Sequence, residues 1–64
     1  MSSFDLHAWF HALDPTDRWL VEWRAQRDMS VKEISERSGL PPMAVAERLL
    51  RLRQRLAEAA SAQR

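Results

Sequence analysis

The chain has 64 residues, a formal net charge of +1 and no cysteine, which means one small domain without disulfides or thiolate metal sites. A domain this short buries only about 60% of its extended-chain surface, so it depends on good helix packing, oligomerisation or a partner. Ala, Leu, Arg and Glu dominate, Gly occurs once, the alternation of strands is absent, and no apolar run nears the roughly 18 residues of a membrane span.

The first helix is expected over about residues 4–13. Ser2 or Ser3 can cap it, and Asp5 suits its positive end. Phe4, Leu6, Trp9, Phe10 and Leu13 give it an apolar face. His7 and His11 are one turn apart, a spacing two metal ligands can share. With no Cys and no acidic cluster beside them they read as two surface or half-buried imidazoles, and no metal or other cofactor is expected.

Asp14-Pro15-Thr16-Asp17 is a helix start. Asp14 can be the N-cap, and Pro15 lacks the N–H that would go unpaired at the first helical position. The second helix then runs over about 15–27. It carries Trp19, Leu20 and Trp23 on one face, read as core. Ser30 with Glu33 forms the S-x-x-E capping box of a third helix over 31–38, with Val31, Ile34 and Ser35 facing inward. Gly39 stands where a helix ends with positive φ, Leu40 can fold back as an apolar plug, and Pro41-Pro42 stops one helix and starts the next. A short helix, a glycine turn and a new helix make the helix-turn-helix pattern. The fold class is therefore all-α, a tetrahelical helix-turn-helix domain filling residues 1–64.

The fourth helix, over about 42–60, carries most of the functional signal. At about 100° per residue, Val45, Leu49, Leu52 and Leu56 share a stripe that is core at its start, with Ala59 and Ala60 extending it. Toward Leu52, Leu56 and Ala59 the stripe can serve pairing of two copies. Arg48, Arg51 and Arg55 form a basic stripe, and Met43, Ala46, Leu50 and Ala57 a weakly apolar one. Charge is uneven along the chain. Asp5, Asp14, Asp17, Glu22 and Asp28 outnumber the arginines of the first half, while Arg48, Arg51, Arg53, Arg55 and Arg64 outnumber Glu47 and Glu58 at the end. A basic terminal helix can meet phosphate or an acidic protein face.

From Ala12 to Leu56 the chain resembles region 4 of bacterial sigma factors, most closely the extracytoplasmic-function type. That pattern has L-P-x-x-x-R opening a helix, an E-I-A helix, and then G-T-V-x-S-R-L-x-R-A-R-x-x-L. Leu13 to Arg18 matches the first loosely, Glu33-Ile34-Ser35 the second with Ser35 at the usual Ala, and Val45, Arg48, Leu49, Arg51, Arg53 and Leu56 the third. The resemblance implies a four-helix domain that places its last helix in the major groove of promoter DNA and touches RNA polymerase. The length leaves no room for the region that melts the promoter, and the start at Met1 favours a stand-alone domain. Ala44, Ala46 and Glu47 replace the usual Thr, basic residue and Ser. Base readout needs side chains rich in donors and acceptors, and these are not.

Two functional readings follow. In one, the protein is a small cytoplasmic DNA-binding regulator, acting as a dimer on double-stranded promoter or operator DNA. Lys32, Arg37, Met43, Ala44, Glu47, Arg48, Arg51 and Arg55 would form its DNA face. In the other, the helix-turn-helix frame binds a protein such as RNA polymerase, a sigma factor or an activator through Met43, Ala46, Leu50 and Ala57. An enzyme is not expected: no nucleophile has a nearby base, and no Gly-rich loop can cradle phosphate.

Overall fold

A computed structural model of the protein describes residues 4–62. It contains four helices, α1 (Leu6–His11), α2 (Pro15–Ala25), α3 (Val31–Ser38) and α4 (Pro42–Ser61). There is no strand among the described residues.

The first helix is shorter than expected at both ends. Asp5 is its N-cap, in extended conformation with its carboxylate accepting from the Ala8 N–H at 3.0 Å, so Phe4 and Asp5 precede the helix. A cap at Ser2 or Ser3 lies outside the described residues. At the other end, Leu13 must leave the helix because Asp14 is extended (ψ 161°) to cap α2 and precedes a proline. Asp14 accepts from the Asp17 N–H at 3.1 Å, and Pro15 occupies the first turn, as its residue type suggests.

The second helix ends at Ala25, two residues before the expected Arg27. Asp28 takes a left-handed conformation (φ 52°), which Asp tolerates better than most residues. The Met29 N–H then reaches back to the Trp23 carbonyl at 3.0 Å. The capping box of α3 is complete: Ser30 Oγ accepts from Glu33 N–H at 3.1 Å, and the Glu33 carboxylate from Ser30 N–H at 3.0 Å. Gly39 closes α3 at φ 78°, where a side chain would strain the backbone. Ser35 Oγ donates to the Leu40 carbonyl at 2.6 Å, and Leu40 N–H donates to Ser38 Oγ at 3.1 Å, so two α3 serines fasten the turn.

Leu20, Ile34 and Val45, one each from α2, α3 and α4, form the wholly buried centre. Trp23, Met29, Val31, Leu40 and Leu49 pack on it, and Leu13 and Leu52 are buried as well. Trp19 is not core: it is 57% exposed and stacks on Trp23 with ring centroids 6.2 Å apart. It is the neighbour of Leu20 and so points about 100° away from it. At 1.5 Å per residue, α4 is about 30 Å long and supplies most of the 42 Å long axis. No helix among the described residues is long and apolar enough to cross a membrane.

Candidate nucleic-acid interface

The core fixes how α4 faces outward. Val45 and Leu52 point into the domain, so Met43, Glu47, Leu50 and Arg51 stand on the far side, all exposed. Met43 is 74% and Leu50 57% exposed. Ala44 is half-buried, which removes it from the outermost face, whereas Ala46 and Ala57 are exposed.

The two flanks of α4 differ. On one, Arg48, Arg51 and Arg55 gather with Asp14 and Asp17 around a small polar cavity of about 180 Å³. Arg48 Nη1 donates to Asp17 Oδ1 at 3.0 Å, across 31 positions of chain. The Asp17 N–H holds the Asp14 carboxyl below its ordinary value, and the Arg48 charge adds to this. Arg51 and Arg55 are exposed. On the other flank, Ala46, Leu49, Leu50 and Leu56 of α4 face Trp9, Val21 and Val31 across a mainly apolar groove of about 450 Å³, with Arg24 and Arg53 also lining it.

Residues 4–56 match the family described as Sigma-70, region 4. The chain belongs to the sigma-70 region 4 family. Domains of this family bind DNA at the −35 element and RNA polymerase. No curated protein and no solved structure matches the chain.

Within this region 4 domain, the expected site residues fall into three groups. Arg48, Arg51 and Arg55 come together, with Met43 and Glu47 exposed beside them on α4. Lys32 and Arg37 are exposed on α3, but Arg37 lines a different open cavity, with Arg27, Met29, Glu33 and Glu36. Leu52 does not belong to a pairing surface: it is 4% exposed and counts among the buried core residues. Of the expected pairing stripe, Leu56 and Ala59 remain half-buried at the surface.

His7 and His11 are exposed, with ring centroids 4.3 Å apart. Among the described residues no group of three or more His, Asp or Glu side chains is placed to hold a metal ion. Asp14 and Asp17 join the arginines here although neither is among the expected site residues. The only sign of this in the sequence is an acidic first half beside a basic second half.

Proposed function

We propose that this region 4 domain is a small, non-catalytic DNA-binding regulator of transcription, of the extracytoplasmic-function type. The observation that carries this reading is the exposed pair Arg51 and Arg55 on one flank of the helix that the family inserts into the major groove. Such arginines take phosphates, which gives affinity and position without sequence choice. Action as a dimer, on half-sites about one helical turn apart, goes with this reading, and so does a cytoplasmic location. Arg51→Ala is expected to weaken binding to a duplex. It should also make log K less steep against log salt by about 0.9, the share of one phosphate contact. A gel shift across a salt series checks this, and an unchanged slope would overturn it.

A second reading has an observation of its own. The outer face of α4 presents Met43 and Leu50, both more than half exposed, where base-reading donors would be needed. Exposed apolar side chains next to one another mark protein interfaces more often than nucleic-acid ones. On this reading, Leu50→Glu abolishes capture of RNA polymerase subunits while circular dichroism shows unchanged helix content. Undiminished capture would remove Leu50 from the interface.

A further inference from the structure

We propose that Asp17 withholds Arg48 from DNA, and so sets how strongly the recognition helix of this domain can bind. The inference rests on the DNA-binding reading above and adds a residue outside that helix as its regulator of affinity. The geometry is specific. The Asp17 carboxylate sits in the first turn of α2 with only 14% of its side chain exposed, whereas the Arg48 side chain is 43% exposed. The acid is therefore fixed by the fold and the arginine is tied to it. A carboxylate and a phosphate offer a guanidinium the same thing, anionic oxygens that accept charge-assisted hydrogen bonds. Arg48 thus already holds, within the protein, the kind of partner that DNA would supply.

Asp14 strengthens the effect. It lines the same cavity as Asp17, so three guanidinium groups there face two carboxylates, a local excess of one positive charge where the arginines alone would give three. A phosphate approaching Arg48 meets both acids at short range, and that repulsion is strong near a protein surface. The arginines nearer the outer face, Arg51 and Arg55, have no ion-pair partner among the described residues. They carry the phosphate contacts, and Arg48 is held in reserve.

The test compares the full chain with Asp17→Asn, which keeps size and shape and removes the charge, on a labelled duplex of arbitrary sequence over a salt series. Asp17→Asn is expected to bind roughly tenfold tighter at low salt, with a log K against log salt slope steeper by about 0.9 as Arg48 joins the phosphate contacts. Adding Arg48→Ala to Asp17→Asn should cancel the gain in slope. If Asp17→Asn keeps its helix content but binds no tighter and with the same slope, the ion pair is only a brace between α2 and α4 and the inference is wrong. If it loses helix content, the wild-type chain decides. The guanidinium NMR signal of Arg48, assigned with Arg48→Lys, should stay in place when duplex is added, while those of Arg51 and Arg55 move. Movement of all three overturns the inference. Normal DNA binding by wild type without these effects sinks only the role of Asp17, whereas no DNA binding by either protein sinks the DNA-binding reading and this inference with it.

Discussion

Helices α1 and α3 are close in length, six and eight residues, and both are too short to persist alone. Both begin at a side-chain cap, Asp5 for α1 and Ser30 for α3. They differ in everything after the cap. Helix α3 has the reciprocal Ser30–Glu33 box, a left-handed glycine at its end and Ile34 wholly buried. Helix α1 buries none of its own residues and leaves Leu6 57% exposed; its nearest anchor is Leu13, two residues past its end. A cap thus sets where a short helix starts, and a buried side chain sets whether it stays. The consequence is functional. The turn from Gly39 to Pro41 aims α4, so the placement of Arg48, Arg51 and Arg55 depends on α3 far more than on α1.

The largest effect that can break this comparison is at Ile34. Ile34→Ala removes a side chain shared by three helices and should cost about 2–5 kcal/mol, a large part of the stability of any small domain. Leu6→Ala, at an exposed site of α1, should stay within about 0.5 kcal/mol. Urea unfolding followed by circular dichroism measures both. Equal costs would mean that α1 is as firmly built into the domain as α3, and that the arginines are aimed by the whole bundle.

What could be read in the chain beforehand sorts by distance. Asp14 with Asp17, Ser30 with Glu33, and Gly39 before two prolines are signals within a few residues, and each does the work its residue type implies. The stripe of Val45 and Leu52 is likewise a periodic signal, and it located the core side of α4. Periodicity does not say how far a stripe stays covered: Leu52 has the spacing of a pairing surface and is nonetheless interior. Nor does it rank neighbours: Trp19 and Leu20 are adjacent apolar residues, and the smaller one fits between three helices while the indole stays outside. The Asp17–Arg48 pair joins residues 31 apart, and no local pattern connects them. Ser35 is a subtler case. It occupies the usual Ala of the family pattern, and its hydroxyl bond to Leu40 exists only once the turn has formed.

A smaller effect sharpens the same comparison through the caps. The Ser30 N–H holds the Glu33 carboxyl below its ordinary 4.5, as the Asp17 N–H holds Asp14 below 3.8. A carboxyl whose folded-state pKa is lowered stabilises the fold fully above its unfolded-state value, and that stabilisation is lost as pH falls through the lowered value. Stability should therefore be flat near neutrality and begin to fall below about pH 4.5, with α3 and the start of α2 contributing to the loss. Ser30→Ala should cost about 1 kcal/mol near neutral pH. Glu33→Gln should instead leave an acceptor for the Ser30 N–H while removing the titration, so its Tm should fall less than that of wild type between about pH 6 and about pH 3. Thermal melts at the two pH values measure this. An acid loss in Glu33→Gln as large as in wild type would mean that the charge on Glu33 contributes nothing to holding α3, leaving that to its neutral hydrogen bonds and to the burial of Ile34.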